Sequence, residues 1–138
     1  MIKEDCLFCK IAKGEIHSAT VYEDSHFTVI LDVNPATKGH CLIIPKEHFD
    51  NIYDLDGDTA GKLFALATCI ARAMKDALKC DGLNLVQNNG EVAGQTVNHF
   101  HLHLIPRYEG DGLNLNWPQQ EISGEQLEEI RQSIKKSI

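Results

Sequence analysis

The sequence predicts an α+β domain: a five-stranded, mostly antiparallel sheet with one long helix and shorter terminal helices. Three observations carry this expectation. Short runs rich in β-branched and aromatic residues are separated by turn-forming residues rather than by helices. The hydrophobic period lengthens to that of a helix over one long stretch, between the third and fourth runs. No alternation of strands with helices argues for a parallel α/β fold, and no GxxxxGK[ST] phosphate loop is present. The 138 residues suit one domain with a real core, residues 1–138, in which 5–108 carry the motifs and 109–138 form a tail and a last helix.

The elements follow in order. "CLFCKIAKGE" reads as a short helix closed by Gly14. "ATVYED" and "HFTVILD" flank the polar turn Glu23–Asp24–Ser25, the pattern of an antiparallel hairpin. "VNPATKG" interrupts with Asn34–Pro35 and Gly39, and "HCLIIP" is a third strand stopped by Pro45. From Thr59 to Lys79, Leu63, Ala67, Ile70 and Met74 recur at helical spacing, with Lys62, Arg72, Lys75 and Lys79 on the other side. Asp58 is the expected cap of this helix, Gly82 its expected stop, and Phe64 and Met74 are expected in the core. "LNLVQNN" reads as a fourth strand, "GEVAGQT" as a loop and "HFHLHLIP" as a fifth strand. "GEQLEEIRQSIKKSI" is a final helix, acidic early and basic late, as its dipole favours.

Composition removes several classes of function. Hydrophobic residues make up 43% and charged residues 24%, ordinary values for a globular chain. No apolar run approaches the roughly 20 residues a membrane helix needs. "MIKEDCLFCK" has neither a signal-peptide core nor a myristoylation glycine, so a cytoplasmic location is expected. The net charge of -7 argues against general affinity for nucleic acid or an acidic membrane, so any phosphate must be held by a local site. Five cysteines without a secretion signal argue against a disulfide framework. Cys41 and Cys69 read as small core residues, whereas Cys6 and Cys9 form a C-x-x-C pair.

The chemistry concentrates in "NHFHLHLIP", residues 98–106. Side chains alternate faces along a strand, so His99, His101 and His103 share one face, about 7 Å apart. Phe100, Leu102 and Leu104 share the other and can pack under the long helix. Two readings of the histidine row stay open on the residues alone. The imidazoles bind a catalytic metal that activates water, or one of them is a nucleophile or proton shuttle tuned by its neighbours. The preceding "NNGEVAGQT" carries glycines and neutral donors but no carboxylate pair, which looks more like a phosphate cradle than a hard-metal site.

"HFHLHLI" matches the H-φ-H-φ-H-φ-φ pattern, with φ apolar, of the histidine triad family. "CLFCKI", "VYEDSHFTVILDVNPATKGHCLIIPKEH" and "LNLVQNNGEVAGQTVNHFHLHLIPRY" resemble its bacterial HinT-like branch in order and spacing, over roughly residues 5–108. The resemblance implies an enzyme acting at the α-phosphate of purine nucleoside phosphoramidates or related nucleotidyl compounds. It also implies two chains paired into a ten-stranded sheet in a homodimer. By the same resemblance His101 is the nucleophile that forms a nucleotidyl-histidine intermediate, with His103 and His40 beside it and no catalytic metal. Asn88, Gln95 and Thr96 match phosphate-contacting positions, and Asp32 matches an acceptor for ribose hydroxyls. Phe8, Ile11, Ile30 and Val33 match positions near the base. Some bacterial relatives carry a structural zinc, and the matching ligands here are Cys6, Cys9, His48 and His99. The competing expectations are a dinucleoside polyphosphate hydrolase, a zinc-dependent hydrolase built on the three strand histidines, and a nucleotide-binding regulatory module.

Overall fold

The computed structural model describes residue 3 and residues 5–138. Helix α1 (Leu7–Ala12) leads into the hairpin β1 (Thr20–Glu23) and β2 (Phe27–Leu31), then β3 (Cys41–Pro45). The long helix α2 (Gly57–Leu78) precedes β4 (Gly82–Val86) and β5 (Leu102–Arg107), and α3 (Gly124–Ser137) closes the chain. The strands form one sheet in the order β1-β2-β3-β5-β4, with every pairing antiparallel. A single 3-10 turn, Glu91–Ala93, lies in the β4–β5 connection.

The alternation of apolar residues decides the two layers. Val29, Cys41, Ile43, Leu102 and Leu104 turn to one face and pack with Leu63, Ala67, Ile70 and Met74 of α2. Phe49 and Phe100 close the edge of this core. Burying each large side chain here contributes roughly 1.5–3 kcal/mol. Ile30, Leu42 and Ile44 turn to the opposite face, where Phe8 of α1 covers them. His103 pairs with Leu42 in the β3–β5 register, so it shares that second face.

Several boundaries differ from the sequence expectation, each for a local reason. The cap of α2 is Asp56, not Asp58: the Asp56 carboxylate accepts from the Thr59 backbone N–H at 2.7 Å and from its hydroxyl at 2.9 Å. Asp58 falls inside the first turn and pairs with Lys62 at 3.2 Å. The helix stops at Lys79, which takes a left-handed conformation with φ of 55°, and Gly82 instead opens β4. Met74 is buried, but Phe64 is 55% exposed, because the buried stripe at 63, 67, 70 and 74 leaves it on the flank. Cys69 is likewise exposed. The fifth strand begins at Leu102 and runs through Pro106 to Arg107. His99 and His101 precede its ladder, since the Phe100 N–H is diverted to the carbonyl of Phe49 at 2.6 Å.

Beyond β5, the Arg107 guanidinium clasps Asp111 at 2.8 and 3.1 Å and Asn84 at 2.9 Å. Asp111 also accepts the backbone N–H groups of Tyr108 and Leu113, and Arg107 holds its carboxyl well below the usual range. This clasp sets the direction in which the tail leaves the sheet. Helix α3 has a Ser123–Gln126 capping box but no buried residue.

Candidate functional site

The second face of the sheet carries two adjoining constellations, one open to a cleft and one sealed under α1. The cleft has a volume of about 490 Å³. Its apolar wall is made by Leu7, Phe8 and Ile11 of α1 with Ile30, Leu31, Val33 and Leu42 of the sheet. Its polar lining includes Asp32, Thr96, His101 and His103.

The hydrogen bonds dictate the tautomers of the cleft histidines. The backbone N–H of Ala36 donates to His40 Nδ1 at 3.0 Å, so neutral His40 carries its proton on Nε2. His40 Nε2 lies 2.8 Å from His103 Nδ1, at which its proton points, and 3.7 Å from Asp32 Oδ2. His103 therefore carries its own proton on Nε2. His101 Nδ1 lies 2.7 Å from the carbonyl of His99. A carbonyl only accepts, so Nδ1 is protonated and Nε2 keeps its lone pair. Burial pushes His103 down to about 4 and also lowers His40 and His101, while the Asp32 carboxylate opposes the shift at each ring. Burial thus favours the neutral form of all three rings. In that state His101 Nε2 is a free nucleophile and His103 Nε2–H is a proton donor.

Behind the cleft, His99 and Cys9 are fully buried. His99 donates from Nε2 to the carbonyl of Pro45 at 2.8 Å, which turns its Nδ1 toward Cys6 Sγ at 3.3 Å and Cys9 Sγ at 3.4 Å. His48 donates from Nε2 to Asp50 at 2.7 Å and turns its Nδ1 toward Cys9 Sγ at 3.3 Å. The four donor atoms lie within 4.8 Å of one another. Sulfur and nitrogen ligands around tetrahedral zinc stand about 3.5 Å apart, so the donor set and its edges fit that ion. Both imidazoles present lone pairs inward and have an outer acceptor, the arrangement that orients metal-binding histidines. Burial raises the Cys9 thiol, so an ion here must displace its proton.

Asp32, His40 and His103 also cluster tightly enough to be considered for a metal. They do not fit one: while His40 Nδ1 accepts the Ala36 N–H, its Nε2 has a proton in place of a lone pair. Nor do His99, His101 and His103 converge. Their Nδ1 atoms face the cysteines, the His99 carbonyl and His40 respectively.

Of the residues singled out from sequence, Phe8, Ile11, Ile30, Asp32, Val33, Thr96, His101 and His103 line one cleft. Cys6, Cys9, His48 and His99 meet behind it. His40 joins the cleft through His103. Gln95 and Asn88 are not among its lining residues. Gln95 is buried, and its amide donates to the carbonyls of Asp50 at 2.7 Å and Val97 at 2.9 Å while its oxygen accepts the Gly90 N–H at 2.8 Å. With both donors committed, this side chain shapes the loop and is not free for a phosphate. Asn88 packs under the same loop, against Gly94, which has φ of 96°.

A model of the HIT domain matches residues 13–110. The chain belongs to the HIT family. Among HIT relatives, the protein hit of Bacillus subtilis is 46% identical over 138 residues, covering 98% of this chain and 95% of its own. An adenosine 5'-monophosphoramidase of Saccharomyces cerevisiae is 39% identical over 130 residues, covering 94% of this chain and 80% of its own. A HIT family protein from Bacillus anthracis superposes with a TM-score of 0.92 at 46% identity, covering 98% of each chain. A zinc-bound histidine triad protein from Mycobacterium smegmatis superposes with a TM-score of 0.76 at 38% identity, covering 97% of this chain and 98% of its own. The matched HIT span contains the cleft histidines, whereas Cys6 and Cys9 lie before it and α3 lies after it.

Sequence reasoning missed the outer partners in this HIT site. Asp50 two residues after His48, and the carbonyls of Pro45 and His99, orient the rings. "EHFD" carries a weak signal for the first, a carboxylate near a candidate ligand. Backbone acceptors leave no trace in side-chain identity.

Proposed function

We propose that this protein is a nucleotide hydrolase that cleaves purine nucleoside phosphoramidates, or closely related nucleotidyl compounds, at the α-phosphate through a nucleotidyl-histidine intermediate. The observation that carries this reading is the bond from His101 Nδ1 to the His99 carbonyl, which leaves a neutral Nε2 with its lone pair on a ring that lines the cleft. Nε2 attacks phosphorus, the bond from phosphorus to the leaving nitrogen breaks, and the amine takes a proton from His103 Nε2. Water then attacks the same phosphorus and returns a proton to His103 Nε2, the bond to His101 breaks with return of its electron pair, and nucleoside monophosphate leaves. Splitting one displacement into two is what covalent catalysis offers. His40, held by the Ala36 N–H and facing Asp32, orients His103 and stabilises charge that develops on it. Asp32 accepts from the ribose hydroxyls, Thr96 donates to phosphate, and Phe8, Ile11, Ile30 and Val33 hold the base. Gln95 and Asn88 act one step back, by shaping the loop that presents Thr96.

The choice of a phosphoramidate follows the activity for which the yeast relative is named. A zinc ion is assigned to Cys6, Cys9, His48 and His99, where it ties α1 to the sheet and takes no part in bond making. The protein is expected to work as a homodimer in the cytoplasm. In the test, an adenosine phosphoramidate is mixed with wild type and with the slow variant His103→Ala. Intact mass should show a nucleotidyl adduct, and peptide mapping should locate it on His101. His101→Ala should lose turnover by about 10³-fold or more. Full activity in that variant would falsify the assignment. A panel including a dinucleoside polyphosphate and a nucleotide sugar ranks the substrate classes.

A further inference from the structure

We infer that the Cys6–Cys9–His48–His99 metal cluster sets the tautomer and position of His101 from behind, so that the cluster ligands are positioning residues for the nucleophile. The inference rests on reading His101 as the nucleophile and the cluster as a metal centre. It goes beyond a metal that only holds the fold together.

Three connections run from the cluster to the cleft. The first is His99 itself. Its ring is held by the cysteines and by the Pro45 carbonyl, and its own carbonyl receives the His101 Nδ1–H at 2.7 Å. The β5 ladder starts only at Leu102, so no strand partner in that ladder holds the His99 peptide. The ring and the neighbouring Phe100–Phe49 bond hold it instead. Whatever fixes the His99 ring therefore fixes the acceptor that selects the His101 tautomer. The second connection is Phe8, which lies between the two cysteines on α1. Its ring stands edge-on to both His99 and His101, with centroids 6.0 and 4.9 Å apart. Helix α1 has six residues, too few to be stable alone, so anchoring Cys6 and Cys9 also anchors the cleft wall that Leu7 and Ile11 share with Phe8. The third is Asp50, whose carboxylate accepts a hydrogen bond from His48 Nε2 and whose carbonyl accepts from Gln95, the brace of the loop that ends beside Thr96.

When the four ligand atoms bind one ion, all three connections are held under the same constraint. Without an ion, hydrogen bonds alone hold the His99 ring, from the sulfurs of Cys6 and Cys9 at 3.3 and 3.4 Å and to the Pro45 carbonyl at 2.8 Å, and the His101 ring gains freedom to exchange its Nδ1–H bond for other rotamers and for the Nε2–H tautomer.

The test reads His101 directly, without turnover. Protein labelled with ¹⁵N at histidine is compared metal-free and zinc-loaded at alkaline pH, where every ring is neutral, and His101 is assigned by its loss in His101→Ala. Zinc-loaded protein should show a single His101 tautomer, protonated on Nδ1. Metal-free protein should show both tautomers and bind adenosine monophosphate about tenfold more weakly. His48→Ala removes the ligand that belongs neither to the α1 end nor to the histidine row. It should lower zinc content and give an intermediate tautomer ratio that excess zinc restores. If metal-free protein keeps its sheet by circular dichroism and its His101 spectrum and nucleotide affinity equal those of the loaded form, the inference is wrong. If the metal-free chain loses its sheet, His48→Ala decides: lowered zinc with an unchanged His101 spectrum overturns it. Failure of the adduct experiment above leaves these readouts untouched, so the two readings fall separately.

Discussion

His101 and His103 are two residues apart and carry their protons on opposite ring nitrogens because their Nδ1 atoms meet opposite partners, a carbonyl and an imidazole. His103 has the clearer acid–base signature. Its pKa falls from 6.5 to about 4 because burial penalises the charged ring, reinforced by the charges of His101 and His40. The folded chain thus binds fewer protons than the unfolded chain between these values. Stability from this group is complete above about 6.5 and is lost as pH falls through about 4. NMR titration should find the His103 ring neutral at mildly acidic pH, and melting temperature should decline across that window. Asp32 raises the His40 pKa against the effect of burial, so Asp32→Asn should move the His40 titration further down. Under the proposed role it should also raise KM for a nucleotide with ribose hydroxyls. Gln95→Ala strips partners from three backbone groups at once and should cost about 1–3 kcal/mol in denaturant unfolding, with nucleotide affinity falling in step.

The elements were legible wherever one face of a strand or helix is buried, because burial on one side imposes a period on the residues. The stripe at 63, 67, 70 and 74 announces α2, and Leu63→Ala should cost about 2–5 kcal/mol by opening a cavity under a residue that is 1% exposed. The ends were less legible, since caps depend on backbone angles. Asp56 and Asp58 are equivalent as letters, and only the extended backbone at Asp56 aims its carboxylate at the Thr59 N–H. Lys79 in the left-handed region is a cap that no glycine announces. Lys79→Gly should therefore stabilise the protein by about 1 kcal/mol, read as a higher denaturant midpoint at unchanged slope. Gly39 shows the converse: φ is 98° and a Cβ would meet Leu78 Cδ1 at 2.5 Å, so Gly39→Ala strains the turn that delivers His40.

At the scale of the whole molecule, the sheet ends on β1 and β4, each with one pairing partner among the described residues, and α3 leaves Leu127, Ile130 and Ile134 exposed. Open sheet edges and apolar helix stripes favour association with another chain. Sedimentation at micromolar concentration should accordingly give a dimer. Truncation before Ser123 should leave the unfolding free energy of the remaining monomeric fold unchanged, because no residue of α3 is itself buried. A monomer in sedimentation, or a truncation that unfolds the sheet, would contradict this view.

The sequence by itself determined the strands, the long helix, the shared face of the histidine row and the presence of a C-x-x-C pair near one end, since all of these are properties of neighbouring residues. Only the tertiary structure decided how the row divides. His99 turns to the cysteines, 93 and 90 positions away along the chain, His103 turns to His40, and His101 keeps a bond to the His99 carbonyl. The physical reason is that ring direction and proton position depend on which acceptors folding brings near each nitrogen, and several of those acceptors are carbonyls that every residue possesses.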